Sequence, residues 1–130
     1  MVPFESFDAN EEPIYHTDVM CSVLRDHVML CLDSICKYKN CHNKILSHVG
    51  NKQLLQISQE EVSNFCGNVL MLTNSNDEQV LVMSEQARQS YSKKNMDQIK
   101  SSYKNIVSSD LTTISGVGGG SVRCMIAELF

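Results

Sequence analysis

A cysteine follows a run of glycines near one end of the chain, in Gly116-Val117-Gly118-Gly119-Gly120-Ser121-Val122-Arg123-Cys124-Met125. Glycines let the backbone bend tightly and let another molecule come close. A neighbouring arginine favours the thiolate, which is the reactive form of cysteine. On this reading Cys124 is a nucleophile presented on a loop and Arg123 supports it. Two other readings compete for the same residues. One is a buried core cysteine that begins a last strand, since free cysteine packs as a small hydrophobe. The other, a phosphate-binding loop, is set aside: that motif needs a lysine after the last glycine, and none stands there. The natural partner for the thiol is His16, in Tyr15-His16-Thr17-Asp18. If this segment is the extended start of a first strand, Asp18 lies on the same face as His16. A carboxylate there orients the imidazole or grips a cationic substrate. A third cluster is Asn64-Phe65-Cys66-Gly67-Asn68-Val69-Leu70. It reads as a helix end followed by a turn, because Gly and Asn tolerate left-handed backbone. It also reads as a strand mouth with Asn68 facing a cleft.

These groups are far apart in sequence, so strands and helices must bring them together. Val19, Cys21 and Val23 alternate with polar residues, Arg25-Asp26 makes a turn, and residues 27–32 are nearly all apolar. That pattern predicts a hairpin whose second strand is buried on both faces. Asn40 to Val49 has helical spacing and Gly50 is a natural stop. Residues 54–57 read as a short strand. Ser58 followed by Glu61 has the capping-box order, which predicts a short helix running to Phe65. Strands are predicted over Val69 to Thr73 and Gln79 to Met83, with a polar hairpin loop between them. Glu85 to Ser102 reads as helix in two pieces, Ile106-Val107 as a brief strand, and residues 110–114 as a helical turn before the glycine loop. Interleaved strands and helices make the class α/β or α+β. A strand pair, a helix and a further strand occur twice, which suggests a repeated ββαβ module.

Composition narrows the function. The chain has 130 residues, 42% hydrophobic and 20% charged, with net charge −4. This suits one small soluble domain. No basic stripe stands out, so nucleic acid is not an expected partner. No apolar run approaches the roughly 20 residues of a membrane span, and neither a secretory signal nor an Arg-rich transit peptide is legible at the N-terminus. The cysteines are Cys21, Cys31, Cys36, Cys41, Cys66 and Cys124. Cys21 and Cys31 fall in strand-like apolar runs, which points to free thiols in a reducing cytosol. Cys36, Cys41 and His42 approach zinc-ligand spacing, but a second half of the site is missing. His27, His42 and His48 have no setting comparable to that of His16.

The strings PIYHTDVM, NFCGNVL, LVMSEQA and GVGGGSVRCMIAE, in this order, resemble the C-terminal half of the arginine deiminase-related, amidinotransferase-like family. The likeness is greatest to its citrulline-hydrolysing members. G-G-x-x-R-C-M and H-x-D also resemble true arginine deiminases. The resemblance implies a partial pentein-type α/β propeller of ββαβ modules, with its active site on the pseudo-symmetry axis. Residues 1–13 become a flexible lead, and 14–130 the C-terminal part of the catalytic domain. Cys124 matches the family's nucleophile, His16 its general acid/base, and Asp18 the carboxylate that holds the substrate guanidinium. Asn68 and Arg123 match motif positions with supporting, substrate-binding roles. The implied activity is hydrolysis of C–N bonds in guanidino or ureido compounds through a covalent cysteine intermediate. A thiolate splits that difficult substitution into two easier steps, and no metal or organic cofactor is required. The expected partner is a small guanidino or ureido substrate. The family's N-terminal modules, with further substrate-gripping carboxylates, are not found here. A homo-oligomer or a complementing chain is therefore also expected. The alternatives are a catalytically silent binding or assembly module and an amidinotransferase.

Overall fold

The computed structural model describes residues 3–35 and 39–127. Cys36 and the last three residues of the apolar run that follows Cys124 lie outside the described residues. Cys21–Val23 (β1) and His27–Leu30 (β2) form an antiparallel hairpin, with Cys21 opposite Leu30. The chain crosses over through helix Lys39–Val49 (α1) and returns as Gln53–Gln56 (β3), parallel to β2. Gly50, at φ +65°, ends the helix in the left-handed conformation that glycine adopts without a Cβ penalty.

After helix Gln59–Ser63 (α2) the same path is drawn again. Leu70–Thr73 (β4) and Gln79–Ser84 (β5) are antiparallel, Glu85–Ser90 (α3) and Lys93–Ser102 (α4) cross over, and Asn105–Ser109 (β6) pairs parallel with β5. Both sheets are three-stranded, in the orders β1-β2-β3 and β4-β5-β6. The repeat is thus one of topology. A parallel pair needs a long crossover, and helices supply it in both sheets. Helices Thr112–Gly118 (α5) and Val122–Met125 (α6) follow. Among the described residues no helix is long and apolar enough to cross a membrane.

The caps explain why the helices start where they do. Ser58 and Glu61 form the full capping box of α2. Ser84 Oγ accepts from Ala87 N at 3.1 Å and Ser92 Oγ from Asn95 N at 3.3 Å, so the predicted break within residues 85–102 is a second N-cap. Three local expectations need correcting. Residues Thr17–Val19 form a 3-10 turn, closed by Val19 N to His16 O and Met20 N to Thr17 O at 3.1 Å, and the first strand starts later, at Cys21. Helix α2 stops at Ser63, because Phe65 turns the chain at φ +64°. Helix α5 runs through Gly116 and Gly118, leaving only Gly119 and Gly120 as the turn, at φ +67° and +74°.

The core lies between the sheets and their helices. All four residues of β2 are buried, as the apolar run predicts for a central strand covered on both faces. Met20, Met29, Leu55, Ile57, Leu81, Met83 and Ile99 anchor one continuous cluster. Polar bonds join the two modules. Ser22 Oγ lies 2.6 Å from Gly67 O and 2.9 Å from Val69 O, and Asn95 Nδ2 donates to Gln56 O at 3.1 Å. The N-terminal segment is tied to the first module through a bridge between Ser6 and Ile35. There Phe7 N donates to Ser34 O at 2.7 Å.

Candidate active site

Three segments meet at one point: the 3-10 turn leading into β1, the turn leading into β4, and α6 after β6. The first two occupy equivalent places in the repeat, just before the first strand of each module. Glycines allow their close approach. A Cβ on Gly67 would lie 2.3 Å from Val19 O and 2.9 Å from the Met20 backbone, so only glycine lets the second turn seat against the first. The residue types of this turn suggest left-handed backbone at Gly67. The positive φ belongs instead to Phe65, and Gly67 is needed for proximity.

Asn68 is fully buried at this junction. Its Nδ2 donates to Asp18 O at 3.1 Å, to Asp18 Oδ2 at 3.2 Å and to Cys124 Sγ at 3.2 Å. Its Oδ1 accepts from Arg123 N at 3.0 Å. That last bond does the work of a missing cap. Ser121, the N-cap of α6, makes no side-chain cap bond, and a helix start leaves its first N–H groups unpaired. The amide of Asn68 satisfies one of them from another part of the chain. Cys124 S–H in turn donates to Asp18 Oδ2 at 3.2 Å. Gly120 closes the arrangement from behind, where a Cβ would lie 3.0 Å from Cys124 Sγ.

The structure therefore joins Cys124, Asp18 and Asn68 directly. Arg123 enters through its backbone, while its positive charge is felt at Cys21. There it opposes the burial that pushes the Cys21 thiol up. His16 is not joined to the sulfur. Its imidazole is exposed and makes no hydrogen bond or ion pair among the described residues. It stands two residues before Asp18, within about 7 Å along the backbone. Cys124 is exposed, on a short helix rather than on a loop or strand. Chemically, the cluster offers a thiol with a carboxylate acceptor beside it, open to solvent. That pairing suits a planar cation whose N–H groups meet the carboxylate while its carbon meets the sulfur.

A separate cleft of about 690 Å³ lies between the N-terminal segment and residues 32–35, lined in part by Phe7, Asp8, Asp33, Ile35 and His42. Among the described residues it contains none of the five candidate residues and no cysteine. Among the described residues no cluster of His, Cys, Asp and Glu is arranged to hold a metal.

Comparisons with known proteins bear on the family and the fold. The family model described as "N,N dimethylarginine dimethylhydrolase, eukaryotic" matches residues 1–130. No curated protein matches. The fold is similar to the crystal structure of apo ArgZ, an arginine dihydrolase from the ornithine-ammonia cycle in cyanobacteria, with TM-score 0.69 and 14% identity. The likeness covers 95% of this chain and 17% of that one, and at this identity it concerns the fold alone.

Proposed function

The chain belongs to the eukaryotic N,N-dimethylarginine dimethylhydrolase family, and we propose that it carries the nucleophile-bearing part of a hydrolase acting on guanidino groups. Methylated arginines are the first substrate class to test, with arginine and citrulline-like ureido compounds beside them. The observation that carries this reading is the 3.2 Å contact between Cys124 Sγ and Asp18 Oδ2. An exposed sulfur beside a carboxylate suits a substrate that is both cationic and electrophilic at its central carbon.

In the first step the Cys124 thiolate attacks the guanidinium carbon, forming a C–S bond. Asp18 accepts N–H bonds from the substrate, which fixes its plane. The C–N bond to the departing amine breaks, and His16 supplies the proton that the amine carries away. This requires the exposed imidazole to swing inward when substrate binds. In the second step His16 takes a proton from water, the hydroxide adds to the same carbon, and the C–S bond breaks. The products are a ureido compound, the free amine and the restored thiol. No metal or organic cofactor is called for.

On this reading the two ββαβ sheets are consecutive blades of a pentein-type propeller, working in the cytoplasm. Further substrate carboxylates come from blades outside this chain or from a complementing copy. The chain spans 17% of the length of the matched arginine dihydrolase, so activity is to be assayed with and without added partner. Purified chain is incubated with dimethylarginine, arginine and citrulline, and released dimethylamine, ammonia and ornithine are measured. Cys124→Ala should abolish all release, and a variant as active as the parent overturns the assignment. A second reading, a silent binding or assembly module, draws on the unpartnered imidazole of His16. Binding of these compounds without any turnover favours it. Amidino transfer is separated from hydrolysis by product analysis in the presence of an amine acceptor.

A further inference from the structure

We infer that Asn68 is a positioning residue that sets how readily the Cys124 thiol ionises, by holding the sulfur and the Asp18 carboxylate on one buried amide. The inference rests on the nucleophile reading above and goes beyond the substrate-contact role that the sequence suggests for Asn68.

Burial decides against substrate contact. Asn68 has no exposed surface, so a ligand entering from solvent reaches Asp18 and Cys124 first. What the side chain does is visible in its bonds. One amide nitrogen serves Asp18 O, Asp18 Oδ2 and Cys124 Sγ, and the amide oxygen takes Arg123 N. A donor aimed at sulfur stabilises the thiolate more than the thiol, whereas the Asp18 carboxylate at 3.2 Å acts in the opposite sense. The two side chains therefore act on the sulfur in opposite directions, one dipole against one charge. Among the described residues, the other charged or titratable groups near this point include Arg123, Cys21, at which the Arg123 charge is felt, and His16 in the turn beside Asp18.

The side chain cannot be replaced by a merely space-filling one. Its turn is fixed by Asn68 N donating to Phe65 O at 2.9 Å and by the close seating of Gly67 on Val19. Asparagine and aspartate have the same shape, so charge can be changed without changing volume. Asn68→Asp replaces the donor to sulfur with a second anion. Asp18→Asn removes the first anion. The exchange Asp18→Asn with Asn68→Asp keeps one amide and one carboxylate, and it keeps an acceptor for Arg123 N.

The test is the pH dependence of Cys124 alkylation by iodoacetamide in the full chain. Cleavage after Arg123 releases residues 124–130, which contain no other cysteine, so mass spectrometry reads this thiol alone. Asn68→Asp should raise the pH midpoint by about one unit or more, slowing alkylation about tenfold at a fixed pH below it. Asp18→Asn should lower the midpoint, and the exchanged pair should return near the parent profile. A folded Asn68→Asp chain with the parent's midpoint overturns the inference. So does an exchanged pair that fails to fold or follows the Asn68→Asp profile. Turnover is measured separately. Absent amine release with the predicted alkylation shifts counts against the hydrolase reading and leaves the role of Asn68 standing.

Discussion

Two junctions in this molecule each bring together a carboxylate, an amide and a cysteine, and only one leaves its sulfur open to solvent. At the first, Glu61, Asn95 and Cys66 meet where α2, α4 and the lead into β4 pack. At the second, Asp18, Asn68 and Cys124 meet where the two module starts and α6 converge. Glu61 is buried, and its carboxylate is saturated: Ser58 N and Ser92 N donate at 2.8 Å, and Asn95 Nδ2 donates to both oxygens at 2.9 and 3.0 Å. Cys66 is fully buried, and burial, with the Glu61 charge adding, pushes its thiol well up. Among the described residues, Asp18 has a single amide donor and the sulfur itself, and Cys124 is exposed. Carboxylate, amide and cysteine thus make a strut where donors fill every acceptor. On the proposed function, they make a reactive site where acceptors are left for a ligand.

The largest expected effect sharpens the structural side. Glu61→Ala strips partners from two backbone N–H groups and a buried amide, at roughly 1–3 kcal/mol each where no water replaces them. A loss of about 3 kcal/mol or more is expected by urea unfolding, against less than about 1 kcal/mol for Asp18→Ala. Equal losses at the two positions break the comparison. Next comes reactivity. Cys124 should be alkylated faster than Cys66 by on the order of a hundredfold, because Cys66 reacts only on local opening. Peptide-resolved labelling with time reads both thiols in one sample.

Gly67→Ala comes third. The added methyl meets the Val19 carbonyl and the Met20 backbone, and overpacking of this kind costs about 2 kcal/mol. It should also slow Cys124 alkylation by loosening the seat of Asn68, which the same substitution at Gly116, with nothing near its Cβ position, should not do. The smallest effect belongs to the closed region. Burial, then the Asp26 charge, pushes the Tyr103 phenol up to about 12. The unfolded chain gives up that proton first, near pH 10. Stability should therefore fall as pH rises from about 10 to about 12. Tyr103→Phe should make that fall shallower in urea unfolding series, though Tyr91, also pushed up mainly by burial, contributes to what remains.

Much of the fold was legible because local chemistry decided it. The Ser58–Glu61 capping box, the stop at Gly50 and the Asn74–Glu78 hairpin loop need only neighbours in sequence. The buried second strand follows from an unbroken apolar run, and the ββαβ repeat from the order of elements. The site was legible in part, since glycines, a cysteine and an H-x-D string mark positions without fixing distances. Period-two reasoning put Asp18 and His16 on one face of a strand. The 3-10 turn breaks that relation, so the carboxylate points to the sulfur and the imidazole to solvent. Arg123 is adjacent to Cys124 in sequence, and the structure also brings its charge to Cys21, about a hundred residues back along the chain. The reach of Asn68 to Arg123 N, 55 residues on, has no local signal. The tight seat of Gly67 is likewise set by a segment nearly fifty residues away and could be read only from coordinates.

The central claim is that Cys124 and Asp18 together recognise a planar cation and attack its carbon. Competition between chloroacetamidine, a cationic guanidinium mimic, and neutral chloroacetamide at Cys124 tests it most directly, read on the 124–130 peptide. The account predicts that the parent chain prefers the cation and that excess dimethylarginine slows its reaction. It also predicts that Asp18→Asn erases the preference, by about tenfold or more relative to the neutral reagent. Equal reaction with both reagents in the parent chain, or a preference that survives Asp18→Asn, would contradict it.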